Sequence, residues 1–187
     1  MNQRNIIAIN KPKGPTSHDI VDQIRRITGE RRVGHAGTLD PLASGVLVIG
    51  IGREATRQLA TIVAKEKEYV ATIRLGATST TDDAEGEIVK MQNAECLSRG
   101  ASAEWGKIQN DIERILPTFV GHIQQTPPVY SAVKIAGTPA HRRVRRGETV
   151  ELKSRIVEIK SIEILGYEWP ELRIRVDRNS RLRTPKS

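Results

Sequence analysis

Apolar residues recur along this chain at periods that predict strands and helices in irregular order. Residues 5–10 read as a short strand, followed by the turn-rich Lys11-Pro12-Lys13-Gly14-Pro15. Ile20, Val21, Ile24 and Ile27 then fall on one face at helical spacing, with Thr16 or Ser17 able to cap the helix and Gly29 able to end it. By composition 34–45 is a loop, and 46–49 is apolar enough for a buried strand. A second helix is expected over 54–64 through Ala55, Leu59, Ile62 and Val63. Next, Tyr69, Ala71, Ile73 and Leu75 alternate with Val70, Thr72 and Arg74 as a strand does. The acidic 82–87 segment lacks the spacing of a calcium loop and reads as a solvated hairpin connection. A third helix spans 103–116 through Trp105, Ile108, Ile112 and Ile115 and ends at Pro117. Strand-like runs follow at 122–133, 149–164 and 171–176. Strands outnumber helices without alternating with them, so the predicted class is α+β, with a mixed or antiparallel sheet and flanking helices.

At 187 residues the chain can bury a real core, and its length favours one domain. That domain is expected to span 1–176. Residues 177–187 keep Leu182 as their one apolar side chain and read as a basic, disordered tail. The net charge of +8 is uneven: 14 basic against seven acidic residues from 134 onward leave +7 in the last 54 positions. Such an asymmetry suits a polyanionic partner, because basic faces release counterions from phosphates, although many merely keep a protein in solution. One cysteine, Cys96, precludes an internal disulfide and any cysteine cluster for a metal, so a reducing compartment is expected. The longest apolar run, 46–51, is far short of the ~20 residues of a membrane helix, and the polar Met1-Asn2-Gln3-Arg4 lacks the apolar stretch of a signal peptide. A cytoplasmic monomer without membrane contact is the expectation.

The chemistry-bearing segment is Gly34-His35-Ala36-Gly37-Thr38-Leu39-Asp40-Pro41-Leu42-Ala43-Ser44-Gly45. Its glycines permit close backbone approach, and the proline biases Asp40 toward an extended conformation. Taken alone, Asp40 is either a turn residue bonding its own backbone or a mounted carboxylate. Tyr69 is equally open to core packing, and His35 to a structural hydrogen bond. Four histidines without Cys/His spacing leave no zinc site, and no metal or cofactor is expected. Lys11, Lys13, Arg142, Arg143, Arg145 and Arg146 are candidates for phosphate contact, or a solvated charged face. Pro127 and Pro128 fix an extended entry in which Tyr130 is expected to pack beneath a site.

The unbroken run GHAGTLDPLASGVLVIGIGREATRQ, 34–58, closely resembles the signature of the TruB family of tRNA pseudouridine synthases. NKPKGPTSHDIV from Asn10, KEYVATIRLGATSTTDDAEGEI from Lys67 and FVGHIQQTPPVYSAVKIAG from Phe119 agree in the same order, so the likeness reaches about residue 164. The resemblance implies isomerisation of a uridine in the TΨC arm of tRNA, position 55, in which N1 is cut from C1′ and C1′ is rejoined to C5. No redox change or metal is needed. It implies that Asp40 is the catalytic carboxylate, that Tyr69 stacks on the flipped base, and that His35 helps hold the RNA loop open.

Two departures qualify what the resemblance implies. Position 141 is His where the family has a tyrosine. After Val176 the family continues with a segment like CSKGTYIRSL, which brings an arginine to the aspartate, whereas this chain reads DRNSRLRTPKS. A frameshift, a premature stop or a deliberately shortened form is the expectation, with Asp40 lacking its cationic partner. Two functions follow: an active synthase, or a non-catalytic tRNA-binding remnant.

Overall fold

The computed structural model describes residues 5–62, 66–91, 102–131 and 133–179. The chain forms two compact units, Met1–Lys65 and Glu66–Ser187.

The first unit contains β1 (Ile6–Lys11), α1 (Ser17–Thr28), β2 (Val33–Ala36), β3 (Gly45–Ile51) and α2 (Arg53–Ile62). Its antiparallel sheet has the order β1-β3-β2. Residues paired across an antiparallel ladder share a face, and the two faces here do different work. One face presents Leu47 and Ile49 with Val33 to Ile20 and Val21 of α1, with Ile7, Ile9, Ile24, Leu39 and Ile51 packed around them. On the other face Gly34 pairs with Gly50, and the two make a notch for α2. A Cβ on Gly50 would meet the Ala55 backbone at 3.0 Å, and one on Gly34 would meet Thr56 Cγ2 at 3.3 Å. The unit is therefore three layers: α1, sheet, α2.

Helix α1 begins with a capping box: Thr16 Oγ1 accepts from the Asp19 N–H, and the Asp19 carboxylate accepts from the Thr16 N–H. Gly29 ends the helix at φ 69°, where a side chain would be strained. The apolar stripe is shorter than its spacing suggests. Ile27 is 78% exposed, so burial stops at Ile24, one turn before the cap. The predicted 34–45 loop is also shorter. Gly34, His35 and Ala36 belong to β2, because the glycine serves helix packing rather than a turn.

The second unit contains β4 (Lys67–Arg74), β5 (Ala77–Ser79), β6 (Ile88–Lys90), α3 (Ser102–Ile115) with a 3-10 turn (Leu116–Phe119), β7 (Gly121–Gln125), β8 (Lys134–Ile135), β9 (Thr138–Pro139), α4 (Ala140–Val144), β10 (Arg155–Glu168) and β11 (Glu171–Asn179). Its main sheet, β4-β11-β10-β7, is antiparallel throughout. Tyr69, Ala71 and Ile73 face Val176, Ile174 and Leu172 across the β4-β11 ladder. The acidic 82–87 segment does connect a hairpin, β5-β6, with Asp83 Oδ1 accepting from Thr81 Oγ1 and the Glu85 N–H.

Three expectations shift here. Residues 149–154 precede the strand, which starts at Arg155. Val129 and Tyr130 lie in a turn rather than a strand, with Tyr130 41% exposed and so not a core residue. The polar end begins later than 177, since β11 continues through Asp177, Arg178 and Asn179. Cross-strand partners explain the extension: Asp177 accepts from Ser161 Oγ at 2.7 Å, and Asn179 Nδ2 donates to Glu158 at 2.9 Å. The expected tail otherwise falls on 180–187, outside the described residues, as does the side chain of His141. Among the described residues no helix is long and apolar enough to cross a membrane.

Candidate functional site

Asp40 lies on the loop between β2 and β3, and the backbone on both sides of it is tied down. On one side, Ser17 Oγ of α1 donates to the Leu39 carbonyl and accepts from the Leu39 N–H, both at 2.9 Å. On the other, the Pro41 carbonyl accepts from the Gly14 N–H at 2.8 Å. Asp40 itself opens a turn closed by the Ala43 N–H donating to the Asp40 carbonyl at 3.0 Å, with Pro41 at the position where its fixed φ suits a turn. The turn is thus closed by backbone. The Asp40 side chain is exposed and makes no hydrogen bond or ion pair among the described residues, so the carboxylate is not consumed by its own turn. A carboxylate on a rigid loop, free of partners, is available to a ligand.

Lys11 does not do what the sequence suggested. It is fully buried, and its Nζ donates to the Pro12 and Pro15 carbonyls at 2.9 Å each. An ammonium enclosed by its own loop cannot reach a phosphate; it holds residues 12–15 in the shape that brings Gly14 to Pro41. Lys13 on that loop is exposed.

His35 sits on β2 opposite Ile49, and therefore on the α1 face of the sheet. Its ring meets His18 of α1 edge to face at 5.1 Å. Nδ1 is buried without a hydrogen-bond partner among the described residues. Burial, with a smaller contribution from His18, pushes the imidazole below its ordinary pKa, so His35 is held toward the neutral form. His18 was not singled out in the sequence; its position two residues into a capped helix was the available signal.

In the second unit Tyr69 occupies the edge strand β4 with 42% of its surface exposed, so its ring is not committed to the core. The arginine cluster divides. Arg143 is ion-paired to Glu148 at 3.2 Å, while Arg142, Arg145 and Arg146 are exposed. Arg143 is therefore a local staple rather than a free cation. An open cleft of about 350 Å³ is lined by Glu113, Leu116, Pro117, Val120, Ile162 and Ile164, none of them a candidate residue. Among the described residues no group of His, Cys, Asp and Glu could hold a metal ion.

The α+β class is shared with solved structures. Over 94% of this chain and 40% of the other, the fold is similar to the chain in a Cbf5-Nop10-Gar1 complex, with 29% identity and a TM-score of 0.61. A Nop10-Cbf5 complex of an archaeal box H/ACA sRNP gives a TM-score of 0.57 at 24% identity, over 96% of this chain and 40% of that one. Residues 25–181 match the TruB family pseudouridylate synthase (N terminal domain), and the chain belongs to that family. It is similar to the tRNA pseudouridine synthase B of Thermobifida fusca (strain YX), 47% identical over 162 residues, covering 87% of this chain and 52% of that one. The protein of the same name from Corynebacterium glutamicum (strain R) is 45% identical over 175 residues, covering 91% of this chain and 55% of the other. The chain spans about half the length of the curated relatives it matches.

Proposed function

We propose that this chain carries the catalytic carboxylate of a tRNA uridine isomerase, forming pseudouridine at position 55 of the TΨC arm. The observation that carries the reading is Asp40: an exposed carboxylate without a partner among the described residues, on a loop fixed at Leu39 and Pro41. The reaction breaks N1–C1′ and forms C1′–C5; the proton leaving C5 balances the one gained at N1, so no electrons are exchanged. A carboxylate serves it by attacking the substrate covalently or by offsetting positive charge at the detached sugar carbon. Asp40 is solvent-exposed, so in this reading the extruded nucleotide itself displaces water from it.

The base must leave its stack, at a cost of a few kcal/mol, and needs an aromatic platform. Tyr69 has the exposed ring for that role. His35, held toward neutrality, suits a hydrogen bond to RNA rather than a fixed charge. Lys13, Arg142, Arg145 and Arg146 are exposed cations for phosphates; Lys11, enclosed by its own loop, and Arg143, paired to Glu148, leave that set. The names of the relatives support tRNA as partner. The same reading places a monomer in the cytoplasm and requires neither cofactor nor metal.

Incubation of the chain with tRNA tritiated at uridine C5 tests the function. Tritium release to water, with pseudouridine appearing at one position of the TΨC arm, is the expected result. Tight tRNA binding with no release would favour the non-catalytic alternative.

A further inference from the structure

Ser17 has a hydroxyl that its own helix does not use. The N-terminus of α1 is closed by Thr16 and Asp19, which exchange bonds between side chain and backbone in both directions. Ser17, one residue on, is 2% exposed, and its Oγ both donates to and accepts from the backbone of Leu39 across 22 positions of sequence. A hydroxyl has one proton to donate and two lone pairs, so both bonds form at once. Together they fix the peptide groups on either side of Leu39, the residue immediately before Asp40.

The Asp40 carboxylate has no partner of its own among the described residues, so its location is set by the backbone that carries it. That backbone has two ties to the α1 entry, Ser17 to Leu39 and Gly14 to Pro41. The Gly14 tie is a main-chain bond that uses no side chain, made where a φ of 107° favours glycine. The Ser17 tie depends on a side chain, and it brings two of the bonds. We propose that Ser17 is the positioning residue for Asp40: it touches no substrate and acts by holding Leu39 so that the carboxylate is presented in one place. The proposal rests on the reading of Asp40 as the catalytic carboxylate.

Ser17→Ala removes both bonds without adding volume, and Ser17→Thr keeps the hydroxyl. In the full chain, hydrogen exchange of backbone amides reads the tie directly. The Leu39 amide is expected to exchange at least ~100-fold faster in Ser17→Ala, while the amides of Leu47 and Ile49 in β3 stay within about threefold of the parent. Ser17→Thr should restore Leu39 protection. Single-turnover tritium release should fall by ~10- to 100-fold in Ser17→Ala, the range a misplaced reacting group produces, with tRNA affinity within about threefold. Unchanged Leu39 exchange would overturn the proposal, as would protection lost equally across β3, which would make Ser17 a general fold residue. Full turnover with Leu39 freed would also overturn it, and would leave the Asp40 reading intact. Asp40→Asn measured in the same series keeps the two apart. Turnover by Asp40→Asn, or none by the parent, counts against the Asp40 reading, and amide exchange then decides alone whether Ser17 holds the loop.

Discussion

The two units solve the problem of stability differently. Among the described residues the first unit, about half the length of the second, encloses Ile20, Val21, Val33, Ala36, Leu47, Ile49, Ala55 and Leu59, whereas the second encloses Ala140, Val157, Leu172 and Ile174. The second instead leaves Tyr69, Val70, Ile73, Ile156 and others at least a third exposed, and relies on the long β10-β11 ladder. Packing holds the first unit, with helices on both faces of a small sheet; backbone pairing holds the second. A precisely placed group belongs on the first kind of scaffold, and a surface that meets a large ligand belongs on the second.

Equivalent leucines give the widest separation. Leu47→Ala in the sealed core should cost about 4 kcal/mol, and Leu172→Ala about 2 kcal/mol, because cavity cost depends on whether the site can relax. Leu172 pairs with the partly exposed Ile73, which water already reaches, whereas Leu47 is fully enclosed. Urea unfolding of each variant measures both, and equal losses would erase the distinction.

Glycines sharpen it further. Gly50→Ala drives a methyl into the α2 backbone at 3.0 Å and should destabilise by about 2 kcal/mol. Gly166→Ala, in the second unit, meets nothing within 4 Å and should change stability by less than about 0.5 kcal/mol. Thermal melts of the pair are sufficient, and a stable Gly50→Ala would mean that α2 is free to move off the sheet.

A smaller effect separates the cations. Replacing Arg142, Arg145 and Arg146 with Gln should lower the slope of log affinity for tRNA against log salt by roughly 0.7 to 0.9 for each phosphate no longer neutralised. Arg143→Gln alone should leave the slope unchanged, since that side chain is engaged by Glu148. A slope unaffected by the triple substitution would reduce the cluster to a solvated face.

The smallest effect is on pH. His35 has a pKa held below its ordinary 6.5 in the folded chain, so the unfolded chain takes up the proton first. Its contribution to stability is complete above about 6.5 and is lost as pH falls through the lowered value. Melting temperature should therefore drop between pH 7 and pH 5 more steeply in the parent than in His35→Gln, and parallel curves would show that the imidazole is not desolvated.

Much of the first unit was legible because short-range signals agree there. Thr16 or Ser17 at one end and Gly29 at the other announce the ends of α1, and Leu47 and Ile49 its partner strand. The roles of Gly34 and Lys11 were not, because each depends on an interaction made only after folding: α2 against a glycine notch, and an ammonium against its own loop's carbonyls. Glycine in a glycine-rich run reads as loop, and lysine beside prolines reads as surface. In the second unit the periodicity located the strands but not their burial. Tyr69 alternates as a core residue would, yet its strand lies at a sheet edge, and edge position is a property of topology.

Asp40 is the residue on which the proposed chemistry depends, and single-turnover tritium release from C5-tritiated tRNA by parent and Asp40→Asn tests its role most directly. The predicted result is release by the parent, a loss of at least ~1,000-fold in the variant, and tRNA affinity unchanged within a few fold, since one carboxylate contributes little to polyanion binding. Substantial release by Asp40→Asn would contradict it.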